Sequence, residues 1–432
     1  MREYLPILLS IAMLAGACSK QPALDPEEQE PENITLPEET GLDVIDVIPL
    51  PGGTTMKASS MEEPVTDLCF SILRNTYRQR PQDMLLSPVG VQLSLSMAAN
   101  GTEGDIRRRL IGMLSEGDLS LEAVNTRNNL LIRWLSRQED GYTLYLTQAA
   151  LLDKKYRFDP TFESVLERQY FAPTGILDLK DERKTVDLVN DWSYRSTEGM
   201  IPNVLEEVPE DAAAYLLSAV YLNASWKWPF SERNTTRKIF TRADGSLTTV
   251  DMMQEKLLCN GLYFFKEEGF RGAGVPLNGN KTMYFFLPDS HDGIPALLEK
   301  LQAKDWKNLF ENVLYPTELD IALPRYDITS SINLKDALSG LGHEDLLQKE
   351  VFTCLAENKA LRVDCWEQHV SLRVNEKGTQ AAAVTVAGFE DPSDSMPPEL
   401  KEAITLDHPF LFLLADDFTH AILFAGVYAG MN

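Results

Sequence analysis

Val374-Asn375-Glu376-Lys377-Gly378-Thr379-Gln380-Ala381-Ala382-Ala383-Val384-Thr385-Val386-Ala387 is the stretch on which the reading of this chain turns. It begins as an alternating strand that ends on the acidic residue Glu376. A glycine follows, then small residues without charge as far as Phe389, and Pro392 closes the run. Side chains of an extended chain alternate between two faces, so Thr379, Ala381, Ala383, Thr385 and Ala387 share one. All five are small and uncharged. Such a segment can slide between two existing strands without burying a charge or a bulky group. The plainer alternative is an edge strand that runs into a small-residue turn.

The chain has 432 residues, enough for one large core or two domains. Its formal charge of -25 argues against nucleic-acid binding, which needs a basic stripe to offset phosphates. There is no basic run, no zinc-type cysteine spacing and no internal repeat. Cys69 sits in an apolar helical pattern and reads as a small buried hydrophobe. Cys354 and Cys365 could pair in an oxidising compartment, a point that spacing leaves open.

The first residues read as an export signal over residues 1–17. Arg2 supplies a weak positive start, and Leu5 to Ala17 is apolar but too short to span a bilayer. Ala15-Gly16-Ala17-Cys18 resembles a bacterial lipobox, which implies cleavage before Cys18 and lipid on its thiol. Stable anchoring takes more than one acyl chain, which bacterial lipoproteins supply. Ser19 stands where Asp would signal inner-membrane retention, so an outer-membrane location in the cell envelope is expected. Residues 18–60 then read as a tether. Asp25, Glu27, Glu28, Glu30, Glu32, Glu38 and Glu39 alternate with Pro22, Pro26, Pro31 and Pro37, a composition that stays extended.

Beyond residue 60 helical patterns come first: Val65 to Tyr77, Ser87 to Ala99 with Ser-Pro at its start, and Val186 to Tyr194. Strands dominate later. Tyr215 to Ala224 is apolar enough to be buried on both faces. Lys238 to Phe240 and Leu247 to Met252 flank Ala243-Asp244-Gly245-Ser246, a hairpin signal. Thr282 to Leu287, Leu361 to Asn375, Phe410 to Ala415 and Ala421 to Tyr428 read as further strands. Ile294 to Leu301 and Asn333 to Leu341 return to helix. Helices segregated from strands in this way argue for an α+β fold with large sheets.

Short motifs run in order from about residue 60 to 432. They are Leu86-Ser87-Pro88, Asn100-Gly101-Thr102, Val189-Asn190-Asp191-Trp192, Gly199-Met200-Ile201 and Leu222-Asn223-Ala224-Ser225-Trp226-Lys227-Trp228-Pro229-Phe230. Met252-Met253, Phe286-Leu287-Pro288, Leu323-Pro324-Arg325-Tyr326 and Leu338-Ser339-Gly340-Leu341-Gly342 follow. Val374 to Ala383, His408-Pro409-Phe410-Leu411-Phe412 and Ile422-Leu423-Phe424-Ala425-Gly426 complete the series. This order of motifs resembles the serpin family. The resemblance implies a domain over residues 61–432 with a large central mixed sheet, two further sheets, surrounding helices and an exposed reactive loop at about 376–409. It assigns the loop hinge to Glu376, Gly378, Thr379, Gln380, Ala381, Ala382, Ala383, Val384 and Thr385. It assigns the shutter and breach of the central sheet to Ser87, Asn190, Trp226 and Gln368.

Three positions depart from the family pattern. Gly90 replaces a small hydroxyl residue, Gln368 stands where a histidine is usual with His369 one residue later, and the chain ends Gly-Val-Tyr-Ala-Gly. The resemblance also implies a scissile bond about 16 residues after Glu376, at Pro392, or about 11 before Pro409, at Pro398, so the loop is longer than usual. The bond is expected between Phe389 and Met396, a window that also holds Glu390, Pro392, Ser393, Asp394 and Ser395. A proline after the scissile carbonyl is poorly tolerated. That favours Phe389-Glu390 or a bond around Ser393 to Ser395.

The expected function is inhibition of a serine protease, or a cysteine protease, by a suicide-substrate mechanism in which the cut loop inserts into the central sheet. The expected partners are that protease and, through the lipid, a membrane. A monomer without cofactor or metal is expected. One competitor is a binding protein on the same scaffold that does not inhibit, although a charge-free hinge favours inhibition. A secreted hydrolase is the more distant one. There is no Gly-x-Ser-x-Gly elbow and no His-Glu-x-x-His pair, and His343-Glu344-Asp345 reads as a solvated turn. Nothing in the sequence builds a nucleophile with an orienting base.

Overall fold

The computed structural model describes residues 40–50, 63–116, 119–137, 141–209, 212–347, 351–379 and 400–431. Two units divide the chain, Met1–Leu36 and Pro37–Asn432, and every described residue belongs to the second.

Nine α-helices surround three large sheets among the described residues. The helices are α1 (Glu63–Gln79), α2 (Pro88–Asn100), α3 (Gly104–Leu114), α4 (Leu121–Leu135), α5 (Pro160–Val165), α6 (Glu182–Ser196), α7 (Ile294–Lys300), α8 (Ala303–Asn308) and α9 (Leu334–Ser339). A six-stranded sheet runs in the order β1 (Met84–Leu86), β17 (Ile422–Tyr428), β16 (Phe410–Asp416), β9 (Lys281–Pro288), β8 (Phe270–Leu277), β7 (Tyr263–Glu267). A four-stranded sheet runs β15 (Lys401–Thr405), β10 (Glu318–Pro324), β6 (Leu247–Leu257), β5 (Thr236–Thr241). β12 (Phe352–Ala356) and β13 (Lys359–Leu361) form a separate hairpin.

The sheet that carries the site is five-stranded and mixed. Its order is β11 (Tyr326–Asn333), β14 (Cys365–Val374), β4 (Ala214–Ala224), β2 (Tyr142–Asp153), β3 (Thr174–Leu177). β14 pairs antiparallel with β11 but parallel with β4, from Cys365↔Tyr215 to Ser371↔Tyr221. β4 pairs antiparallel with β2 from Tyr142↔Ala224 to Leu152↔Ala214. Both members of the parallel pair therefore point their carboxyl ends, Val374 and Ala224, to the same edge of the sheet.

Both faces of β4 are covered, as its continuous apolar sequence requires. Leu216, Val220 and Leu222 join the main core with α2, while Tyr215, Leu217 and Ala219 pack with Val189 and Trp192 of α6. Every residue of α2 is buried, and a helix apolar on all sides can only sit inside. Ser87 caps it by accepting from the Gly90 N–H at 3.2 Å, with Pro88 in the first turn.

The expected helices and strands form close to their expected places, and the hairpin closes around Gly245 at φ 80°. Helices α3 and α4 and the long strand β2 fall between Gly104 and Asp153, where the sequence reading named no elements. β2 carries Ala149 and Ala150 beside aliphatic residues on both faces, so its burial follows tertiary packing more than alternation.

Residues 40–50, expected to belong to the tether, are docked against β3, α4 and α6. The Thr40 N–H donates to Ile176 O at 2.8 Å, and the Thr40 hydroxyl accepts from the Ile176 N–H at 2.9 Å. Arg195 donates to Leu42 O at 2.9 Å and Arg133 to Ile48 O at 2.8 Å. Leu42 is buried beside Gly175 of β3. Residues 41–50 are denser in aliphatic side chains (Leu42, Val44, Ile45, Val47, Ile48 and Leu50) than residues 21–39, where Leu24, Ile34 and Leu36 stand among acids and prolines, so this part has more apolar area to bury and docks.

Candidate functional site

The hinge begins where β14 ends. After Val374 the backbone closes on itself, with Asn375 N–H to Gly378 O at 2.8 Å and Gly378 N–H to Asn375 O at 3.1 Å. Gly378 has φ +141°, and a Cβ there would lie 2.2 Å from Ala224 O, 2.5 Å from Ser225 Cα and 2.8 Å from Trp226 N. All three are backbone atoms that cannot give way, so only glycine fits. This close approach lets the chain cross from the end of β14 to the end of β4.

Thr379 then bonds to Ala224, the last residue of β4. Its N–H donates to Ala224 O at 2.6 Å, its hydroxyl accepts from Ala224 N–H at 2.6 Å, and the same hydroxyl lies 3.0 Å from Ala224 O. Thr379 is 1% exposed. Trp226, wholly buried, ties down the turn: its N–H donates to Lys377 O at 2.9 Å and its indole Nε1 to Asn375 O at 2.8 Å. The Phe230 N–H donates to Glu376 O at 2.8 Å.

Glu376 is the electrostatic anchor. Its side chain is buried and accepts from the Arg325 guanidinium and the Thr235 hydroxyl. Burial opposes its ionisation, but the hydrogen bonds from Arg325 and Thr235 outweigh that and hold the carboxyl below the usual glutamate range. The Glu376 hydrogen bond in turn raises Arg325. A cleft of about 510 Å³ opens beside this pair, lined by Arg325, Asp327, Arg373, Glu376, Lys377 and Tyr428 among others.

Further down the sheet, Gln368 and Ser218 face each other across the parallel pair. Gln368 is wholly buried. Its amide grips the Ser87 peptide from both sides, accepting from Ser87 N–H at 2.9 Å and donating to Ser87 O at 2.8 Å. Ser218 Oγ accepts from Gln148 Nε2 at 3.1 Å. The structure thus brings Ser87 and Gln368 together under the sheet and sets Trp226 against the turn after β14. Asn190 is bonded elsewhere. It sits on α6, where its amide closes the following loop by donating to Leu205 O at 2.9 Å and accepting from Val204 and Leu205 N–H at 2.8 and 3.0 Å. The polar residue across the parallel pair from Gln368 is Ser218. The sequence signal for Ser218 was present: it is the one aliphatic hydroxyl inside the apolar run Tyr215 to Leu222. Arg325 and Thr235 were also not singled out as site residues, because a partner for Glu376 about 50 or 140 positions upstream leaves no local pattern.

Gln380, Ala381, Ala382, Ala383, Val384 and Thr385 of the hinge and the whole scissile window, Phe389 to Met396, lie outside the described residues, as does Cys18.

The chemistry of a hydrolase is not assembled around these groups. The four described cysteines are unpaired. Burial pushes the Cys69 thiol far up and that of Cys259 to about 12, and burial followed by the nearby Glu367 raises Cys365. None of these three is a ready thiolate. No cluster of three or more His, Cys, Asp or Glu suited to a metal occurs among the described residues. His408 is held by Asp407 and by Pro288 O, both at 2.8 Å, as a structural group.

A family model described as Serpin (serine protease inhibitor) matches residues 63–430. Iripin-1 of Ixodes ricinus is 28% identical over 362 residues, covering 82% of this chain and 91% of that relative. Leukocyte elastase inhibitor of Xenopus laevis is 27% identical over 392 residues, covering 86% and 99%. Tengpin, a thermophilic serpin solved in its native state, superposes with a TM-score of 0.76 at 21% identity, covering 91% of this chain and 100% of that one. Thyroxine-binding globulin in complex with thyroxine gives 0.75 at 19%, covering 85% and 98%, a likeness of fold. A sequence match that runs almost the whole length of the folded unit, on a sheet with its hinge docked at one edge, has one reading: the chain belongs to the serpin family, whose members are mostly protease inhibitors and not enzymes.

Proposed function

We propose that the protein inhibits serine proteases, with cysteine proteases as a further class, by offering its loop as a substrate and inserting the cut loop between β14 and β4. One observation carries the reading. Thr379, the first residue of the charge-free run, is already bonded in strand fashion to the end of β4, with Gly378 opposite Ser225. Insertion is a continuation of that contact.

The register follows from it. Antiparallel continuation sets Ala381 opposite Leu222, Ala383 opposite Val220, Thr385 opposite Ser218 and Ala387 opposite Leu216. On β4 these partners look toward α2 and the main core, which suits small uncharged side chains. β4 begins at Ala214, so the ladder has room as far as Phe389, where the scissile window opens. Over residues 379–389, at ~3.3 Å each, the leading end travels about 35 Å. A protease acylated by the loop is dragged that far, its site distorts and deacylation stalls. The driving force is the exchange of one parallel ladder for two antiparallel ones, with the insert's backbone groups satisfied on both sides. Pro392 lacks an N–H and suits the end of an insert.

The lipobox-like Ala15 to Cys18 and the acidic stretch after it support a lipid-anchored protein of the outer membrane, held off the surface by a tether that ends before the docked residues 40–50.

The test is incubation with a panel of serine and cysteine proteases, with SDS-stable complexes scored and the released C-terminal peptide weighed by mass spectrometry. A stable complex, a cut between Phe389 and Met396, and a large rise in melting temperature on cutting are expected. Clean cutting with no complex and an unchanged melting temperature would sink the inhibitory reading in favour of a non-inserting scaffold.

A further inference from the structure

The docked amino-terminal segment begins at the end of the central sheet that lies opposite the hinge. Insertion in the register above sets Phe389 opposite Ala214, the first residue of β4. Ala214 pairs with Leu152 of β2, and Leu152 pairs with Ile176 of β3. Ile176 is the residue that Thr40 bonds, through the Thr40 N–H to Ile176 O at 2.8 Å and the Ile176 N–H to the Thr40 hydroxyl at 2.9 Å. Ala214, Leu152, Ile176 and Thr40 thus share one level of the sheet, and the leading end of the insert arrives at that level. Four strand spacings of ~4.8 Å, about 19 Å, separate the insert from Thr40 there.

Thr40 is also where the chain arrives from the tether. Leu42, buried beneath α6, and the Thr40 pair hold this end of the docked segment. From there the chain runs along the edge of the sheet toward α4, where the Leu50 N–H donates to Arg133 O at 3.0 Å. Arg133 stands two residues before Leu135, whose carbonyl accepts from the Tyr142 hydroxyl at 2.9 Å, and Tyr142 pairs with Ala224 at the hinge end. The docking of residues 40–50 therefore decides which end of the fold the tether leaves from. A protease of about 220 residues has a radius of gyration of ~17 Å and, as a sphere, a radius of ~22 Å. Drawn to the level of Ala214, it covers a point ~19 Å away. It comes to rest over Thr40, Gly41 and Asp43, all exposed in the uncut protein.

We propose that residues 40–43 form the seat of the trapped protease, and that the tether is the spacer that leaves room for it on the membrane side of the fold. The loop is offered at the far end of the sheet, and trapping carries the protease to the tethered end. Residues 18–39 reach at most ~75 Å when extended. The protease is about 44 Å across, so the tether spans it. The seat rests on the insertion reading above, and the spacer on the lipid anchor as well.

Two readouts on the full chain test this. In the first, Asp43→Cys carries an acceptor dye, with Cys259→Ser and Cys354→Ser so that the other described thiols, Cys69 and Cys365, are buried. The protease carries the donor. Energy transfer is compared between a non-covalent pair, made with a protease whose nucleophile is replaced by alanine, and the covalent complex. Transfer should be near zero in the pair and strong in the complex, because the protease moves about 35 Å toward the dye. A covalent complex with transfer no higher than the pair overturns the seat and leaves inhibition standing. Failure to form a covalent complex with any serine or cysteine protease removes both. In the second readout, residues 25–36 are deleted, which leaves a tether with a reach of ~35 Å, less than the width of the protease. On phosphatidylethanolamine–phosphatidylglycerol vesicles the shortened lipidated protein should yield cleaved product in place of SDS-stable complex. The same deletion in Cys18→Ala, free in solution, should trap as well as the undeleted chain. Equal yields of complex from the long and short anchored forms overturn the spacer. Loss of complex from the soluble short form overturns it too, since the deletion then acts on the fold. If Cys18 carries no lipid, the spacer falls with the anchor and the first readout decides the seat.

Discussion

Thr379→Arg is the sharpest test of how the hinge works. The Thr379 hydroxyl bonds the Ala224 peptide, and the residue is 1% exposed in the uncut protein. The substitution removes the hydroxyl's bonds to that peptide, worth about 2 kcal/mol net together. It also asks a guanidinium to enter an apolar slot without an acid to pair with, at a cost of about 3 kcal/mol. Of the ~5 kcal/mol total, even half felt at the barrier to insertion slows it about 70-fold. Cutting of the loop is untouched, because the scissile window lies far downstream. The acyl-enzyme then hydrolyses before insertion can trap it, and the protein behaves as a substrate. Ala381→Arg combined with Ala383→Arg should act the same way, opposite Leu222 and Val220. The control is Gln380→Arg. Its partner in the continued register is Asn223, which is only half-buried, so an arginine there keeps access to water. The assay is the ratio of SDS-stable complex to cleaved protein with a protease that forms complex with the native chain. Equal yields of complex from Thr379→Arg and Gln380→Arg would refute the assignment of faces and the insertion register together.

Two further outcomes follow from single groups. The Glu376 carboxyl titrates below its ordinary value of 4.5, so its ion pair with Arg325 contributes fully above that value and is lost as pH falls through the lowered one. Amide-exchange protection at Trp226 and Thr379 should therefore collapse below about pH 4.5; Glu376→Gln should show weak protection at neutral pH and lose that step, and an unchanged acid step in this variant would clear Glu376 of the role. Cys18→Ala should move the protein from the membrane to the soluble fraction and remove lipid mass from the mature N-terminus; continued membrane fractionation would rule out the anchor.

Much of this protein is legible in one dimension because its signals are local. A charge-free alternating run, a Ser-Pro helix start, a fully apolar strand and a glycine beside an acid each follow from the chemistry of neighbours along the chain. Those signals carried the α+β class and the order of the main elements, and they singled out Gly378 and Thr379, which the structure finds bonded against the end of β4. They also separated a proline-rich acidic segment from a folded unit, although the aliphatic residues 41–50 should have drawn the boundary earlier.

The tertiary structure decided what depends on residues far apart in sequence. It showed that Glu376 is held by Arg325 and Thr235, because ion pairs between loops leave no periodic trace. It showed Asn190 bonded to the loop after α6 and Ser218 facing Gln368 across the parallel pair, since a helix and a strand with similar polar residues look alike until they pack. It showed why only glycine serves at position 378, where backbone meets backbone at the end of β4. It also set Gly90 against Gln368, two departures 278 positions apart (368 minus 90) whose spacing says nothing: a Cβ at position 90 would lie 2.4 Å from Gln368 Nε2.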